Sequence, residues 1–173
     1  MFDRIPWVER KFNFDFPVGL YHEIIERLRG TPVRIEALVQ SLPKEILTKR
    51  DGKGWSIQEN IGHILDTETL VTGRLDDYDR GLDTLRAADM TNRATHEANH
   101  NEKPLEDILG AFRQTRGEMV ARLERLDPER FGQTALHPRL EKPMRIVDMI
   151  FFQAEHDDYH LARISALIRH HAG

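Results

Sequence analysis

Between residues 57 and 78 the sequence places Ile57, Ile61, Ile64, Glu68, Val71, Leu75 and Tyr78 in alternating steps of four and three. That spacing is the seam of an amphipathic helix packed along its whole length. No other stretch constrains the fold as strongly. Its start is marked by Ser56 and, three residues on, Glu59, a capping box that follows the loop Asp51-Gly52-Lys53-Gly54, and Gly81 supplies a stop. Glu68 is the one foreign residue in the seam.

Three further stretches carry the same period. The first runs from about Val18 to Leu42, with Leu20, Ile24, Ile25, Leu28, Ile35, Leu38 and Val39 as its apolar positions. Gly30-Thr31-Pro32 interrupts it. Thr31 suits a cap and Pro32 a first helical turn, so a kink or two collinear pieces are expected. Another stretch opens at Pro104 and presents Leu105, Ile108, Leu109, Phe112, Met119, Val120 and Leu123 on one face, with Arg116 in the middle. The last runs from about Arg145 to His170. No convincing period-two strand separates them; the stretch that includes Asn92 to Lys103, and Asp127 to Pro143 with its three prolines, read as loops. The expectation is an all-α chain, a four-helix bundle in one domain over residues 1–173 with a kinked or split first helix. Residues 1–17 are expected as an extended segment whose Trp7, Phe12, Phe14 and Phe16 pack across the bundle.

Composition narrows the chemistry. The 173 residues include nine His and no Cys, which excludes disulfides, a Cys nucleophile and thiolate metal sites, so a tight metal site has to use His and carboxylates. A net charge of −4, with Lys and Arg interleaved among acids, argues against nucleic acid as the main partner. No apolar run approaches the ~20 residues of a membrane span, and Met1–Arg10 lacks the apolar segment of a secretory signal. A cytoplasmic protein is expected.

The informative segment is Gln153-Ala154-Glu155-His156-Asp157-Asp158-Tyr159-His160. The apolar stripe of the last helix is set by Ile146, Met149, Ile150, Leu161, Ile164, Leu167 and Ile168, and Gln153, His156, Asp157 and His160 fall within it or on its edge. Polar groups buried there cost roughly 1–3 kcal/mol each unless partnered. His156 and His160 are four apart, so both imidazoles share a helical face and can converge on one ion; a pair of core histidines satisfied by neighbouring groups is the alternative. His63, beside the seam of the second helix, is a third candidate ligand.

Taken together, Glu26-Arg27-Leu28-Arg29-Gly30-Thr31-Pro32, Trp55-Ser56-Ile57 with Gly62-His63, Arg74-Leu75, Phe112 with Arg116, and His156-Asp157-x-Tyr159-His160 make the sequence resemble the DinB-like family of metal-binding four-helix proteins. The resemblance covers nearly the whole chain. It implies one divalent metal, zinc or nickel, on His63, His156 and His160, and an enzyme related to those that transfer low-molecular-weight thiols to a small-molecule electrophile. It also makes a homodimer an expectation. Arg145 stands where similar proteins often place a capping Thr or Ser, which predicts a less well fixed start to the last helix.

Three neutral imidazoles leave a tetrahedral ion one open position, for a thiolate or for an activated water. Three readings follow: a thiol S-transferase, a metal-dependent hydrolase with Asp157 or Glu59 as base, and a metal-binding or sensing module without turnover. Glu59 is also placed to orient His63. Glu68, Arg116 and Asp157 are each mid-stripe on their own helices, and because an unpaired buried charge costs several kcal/mol they are expected to form a buried ion pair or triad near the metal, with Gln153 beside it. His96 and His100, in the loop between the second and third helices, are expected to be solvated; overhanging the site is the alternative. Glu97-x-x-His100 matches only half of a di-iron signature. His22 and His137 have no context, and His170-His171 reads as a tail.

Overall fold

The capping box forms as the spacing dictates. Ser56 Oγ accepts the Glu59 N–H at 3.1 Å, and a Glu59 carboxylate oxygen accepts the Ser56 N–H at 2.8 Å. From there helix α3 runs over Ile57–Asp79, and all seven seam residues are buried. The computed structural model describes residues 4–172. Its other principal helices are α1 (Tyr21–Val39), α5 (Leu105–Glu124) and α6 (Ile146–Ala172), with short α2 (Lys44–Leu47) and α4 (Arg93–Glu97) in the connections. Helix α1 packs on α5 and α6, and α3 packs on the same two, so α1 and α3 lie diagonally across a four-helix bundle.

The expected loop between α5 and α6 holds more structure than its composition predicts. A 3-10 turn, Pro128–Gly132, leads into an antiparallel hairpin of β1 (Thr134–His137) and β2 (Lys142–Arg145). Four-residue strands are too short for alternation to stand out in a sequence, and Pro143 argues against one. Pro143 is tolerated because it faces Leu136, whose N–H and C=O bond instead to Asp83 and Leu85 at 2.8 and 2.9 Å. The hairpin also feeds α6. Asp148 accepts from the Arg145 backbone N–H at 2.8 Å and pairs with the Arg145 guanidinium at 2.7 Å, so the helix start is well fixed without a Thr or Ser cap.

Helix α1 is continuous through Pro32, and Thr31 is no cap. Proline has no N–H to offer the carbonyl four residues back, which frees the carbonyl of Leu28. Arg116 Nη1 donates to that oxygen at 3.0 Å. The rest of the guanidinium reaches Glu68 at 2.7 and 3.1 Å and Asp157 at 2.6 and 3.3 Å, so all five of its N–H groups are used. Thr31 Oγ1 donates to Asp157 at 2.9 Å, Gln153 Nε2 donates to it at 3.1 Å, and the Phe112 ring lies 4.8 Å from the guanidinium carbon. Desolvation lifts the Glu68 carboxyl above its ordinary range; Arg116 opposes this and Asp157 adds to it.

These residues form a polar layer that divides the core. On one side lie Leu28, Val71, Met119 and Ala154 with their neighbours, and on the other Ile35, Ile64, Phe112 and Leu161 with theirs. Between those limits each principal helix contributes one member: Thr31, Glu68, Arg116 or Asp157. Phe12, Phe14 and Phe16 alternate half-buried against the first core cluster, with Lys11, Asn13 and Asp15 facing out. Residues 1–3 of the expected N-terminal segment lie outside the described residues. Among the described residues no helix is long and apolar enough to cross a membrane.

Replacing Arg116 by Met strands two buried carboxylates and is expected to cost about 3–5 kcal/mol in urea unfolding. Adding Glu68→Gln and Asp157→Asn to that variant is expected to restore part of the loss, because neutral amides no longer demand a counter-charge.

Candidate metal centre

His156 and His160 project from α6 and His63 from the second turn of α3, and one nitrogen from each lies within 4.8 Å of the others. All three are buried. His63 Nε2 and His156 Nε2 are 3.3 Å apart. Ligand atoms of a tetrahedral ion with bonds of about 2.0–2.1 Å stand about 3.3–3.4 Å apart, so the spacing fits such an ion.

The tautomers are set from behind. Thr95 donates its hydroxyl to Asp66 at 2.8 Å, so its oxygen is left to accept the His63 Nδ1–H at 3.0 Å. The Asn60 amide donates to the Ser56 carbonyl at 2.7 Å, which orients its oxygen to accept the His160 Nδ1–H at 2.9 Å. In both rings Nε2 keeps its lone pair for the centre. His156 Nδ1 is buried with no partner among the described residues. Burial pushes His63 down to about 3, with the neighbouring His156 assisting, and His156 down to about 4; His160 is held well below the ordinary range by the same desolvation. All three are neutral at pH 7, the state in which imidazole binds metal.

The support behind His63 comes partly from the loop expected to be solvated. His100 is buried and its Nε2 contacts Asp66 at 2.9 Å, while His96 is exposed near Trp55. Burial would lift the Asp66 carboxyl, but His100 and Thr95 hold it below its usual range. The His100 ring fits because residue 62 is glycine: a Cβ there would stand 2.2 Å from it. Nothing in the sequence assigns a role to Thr95, Asn60 or Asp66, and His100, expected in a solvated loop, is buried instead. A glycine in mid-helix directly before a candidate ligand was the available signal.

The expected carboxylates lie elsewhere. Asp157 is fully buried under Arg116, Thr31 and Gln153, and Glu59 is held by the Ser56 N–H and by Arg50. Neither lines the cavity of about 600 Å³ onto which the three histidines open. Gln153 does line it, while donating to Asp157; Glu68 stays in the polar layer. Trp55 lies tilted against His63 with ring centres 4.6 Å apart, and Trp7 meets His156 edge-on at 5.1 Å. His137, without context in the sequence, forms part of the same wall; His22 and His170 are exposed.

Thr95→Val keeps the shape of the side chain and removes the acceptor for His63. It is expected to weaken binding of a divalent ion about 10–100-fold in chelator competition. Burial, with Arg74 and Arg139 nearby, lowers His137 to about 4. The unfolded chain therefore takes up a proton near pH 6.5 that the folded chain refuses until about 4, so stability falls as pH drops through that window. His137→Asn is expected to flatten that slope by up to one proton, read from urea midpoints against pH.

The fold has counterparts among known proteins. The structure of YfiT from Bacillus subtilis, described as a probable metal-dependent hydrolase with an unusual four-helix bundle topology, superposes with a TM-score of 0.80 at 19% identity over 94% of each chain. A Streptococcus pneumoniae protein matches with a TM-score of 0.66 at 12% identity over 91% of each chain. An uncharacterised Clostridium difficile 630 protein matches with a TM-score of 0.67 at 13% identity, covering 84% of this chain and 94% of that one. No curated protein matches the sequence. At such identities the likeness concerns the fold alone. The family model for the DinB superfamily matches residues 27–164, from α1 through all three clustered histidines into the last turns of α6, and the chain belongs to that superfamily.

Proposed function

We propose that this protein is a metal-dependent enzyme that holds one divalent ion, zinc or nickel, on His63, His156 and His160 and transfers a low-molecular-weight thiol to an electrophilic small molecule. The observation that carries this reading is the convergence of three buried neutral imidazoles on the wall of a cavity of about 600 Å³. An ion so held keeps one position open and acidifies a thiol or a water there. The chain orients the ligands through Thr95 and Asn60, and Trp7, Trp55 and Phe152 give the cavity an apolar wall. With no Cys in the sequence, the sulfur arrives with the cofactor or substrate.

Thiol transfer is favoured over amide hydrolysis by what surrounds the ligands. The carboxylates lining the cavity are Asp66, engaged by Thr95 and His100, and Asp89, which is exposed and bonded to Thr91 and Arg93. A thiol ionises near pH ~8.5 and needs no protein base once its anion is stabilised, whereas amide hydrolysis also needs a donor to the leaving nitrogen. Hydrolysis of a substrate with a good leaving group is the second reading, supported by the description of the Bacillus subtilis protein.

Tag-free protein is expected to bind about one equivalent of zinc or nickel, and His160→Ala less than about a third of that. The loaded protein is expected to conjugate at least one small thiol from a panel with electrophilic acceptors, and to lose turnover on chelation. Metal-dependent cleavage of activated esters with no thiol transfer would instead select the hydrolase reading, and metal binding without turnover in either panel the sensing module.

A further inference from the structure

The cavity has a second chemical pole. Arg74, on α3, is only 4% exposed, and no carboxylate lies within ion-pair distance of it among the described residues. Its Nε donates to the Arg86 carbonyl at 3.2 Å, and among the described residues no acceptor meets its terminal nitrogens. The nearby acid on the same helix, Asp77, is taken by the Arg86 guanidinium at 2.7 Å and the Arg86 backbone N–H at 2.8 Å. Burial draws Arg74 down to about 10. The contrast with Arg116, whose five N–H groups are all satisfied, is plain.

Two more donors join it. Arg139, at the hairpin turn, has a fully buried Nη2 without a partner, and its guanidinium carbon lies 5.7 Å from the centre of the Phe152 ring. His137 accepts the Leu140 N–H on Nδ1 at 3.2 Å, so its proton sits on Nε2, which is buried and also unpartnered. Arg74, Arg139 and His137 all line the cavity that opens onto the three histidines, alongside the apolar Trp7, Leu70, Met90 and Phe152. A guanidinium held this far from bulk water without a counter-charge is poorly compensated by the chain, which leaves it available to an anion from outside.

We propose that this wall is an anion subsite, where Arg74, Arg139 and His137 receive the carboxylate of an amphipathic small molecule whose apolar middle lies along Trp7 and Phe152. The assignment of its other end to the three-histidine centre rests on the metal-enzyme reading; the anion contact does not. Arg74 and His63 are eleven residues apart on one helix, about three turns, so both project from the same face of α3, about 16 Å apart along its axis. The molecule that fits carries its carboxylate at the opposite end of that apolar stretch from its reacting atom.

The test compares 4-phenylbutyrate with its neutral amide by calorimetry, using full-length protein both zinc-loaded and after chelation. The acid is expected to bind at least tenfold more tightly than the amide in both forms, with an advantage that shrinks as NaCl is raised. Arg139→Gln, at the half-buried hairpin turn, and Arg74→Gln are each expected to reduce the difference below threefold while circular dichroism stays unchanged. If either variant fails to fold, the salt dependence of the wild-type acid–amide difference decides. Equal affinity of acid and amide, or a preference that ignores both arginines, overturns the proposal. So does a preference seen only with zinc and lost in His160→Ala, which would place the carboxylate on the ion. A subsite present in protein that binds no metal would leave this inference standing and remove the metal-enzyme reading.

Discussion

The guanidinium of Arg116 is the one group that touches every wall of the bundle. It meets Glu68 on α3, Asp157 on α6 and the Leu28 carbonyl on α1, and it starts from α5. Each of these acceptors has to face the same point, so the layer fixes the axial register of all four helices at once. Apolar contacts above and below supply most of the favourable burial but tolerate a slide of one residue far better than a buried ion triad does. Pro32 belongs to this device. In a helix interior it costs a hydrogen bond, and here the carbonyl it frees becomes the fifth acceptor for the arginine.

Register matters because the site is built on the same two helices that carry the carboxylates. Asp157 is adjacent to His156 and three residues before His160, and Glu68 is five residues beyond His63. With α3 and α6 pinned through Arg116, the three imidazoles meet at a separation set by the backbone and not by loop conformation. The loop residues Thr95 and His100 add orientation, acting through Asp66 and seated against Gly62. The centre therefore takes its position from the helices and the orientation of His63 from the connecting segment.

What could be read from the sequence was whatever has a period or a matched spacing. The seam of α3, its capping box and the mid-stripe placement of Glu68, Arg116 and Asp157 all follow from helical geometry, and the buried triad forms among those three. What could not be read depends on contacts between distant segments. The hairpin at 134–145 has strands too short to alternate visibly and a proline tolerated only because Leu136 bonds elsewhere. Thr31 looks like a cap because the sequence cannot show that Asp157 will claim its hydroxyl. His100 looks like a loop residue because the space it fills is made by a missing side chain on another helix. Arg74 and Arg139 carry no sign in the sequence that they lack partners.

Trp7 stands at the mouth of the cavity, against His156, Phe152 and Tyr159, yet it comes from a segment that precedes the stretch matched to the superfamily. The floor of the site and its roof thus have separate origins in the chain. The floor is constrained by the convergence of three histidines and by the register of four helices. The roof is tied down by aromatic packing of Phe12, Phe14 and Phe16 and answers to none of those constraints. Changes between residues 4 and 17 can therefore reshape what the cavity admits while α3 and α6 hold the three histidines in place, so the opening of the cavity and the geometry of its histidine cluster can evolve along independent paths.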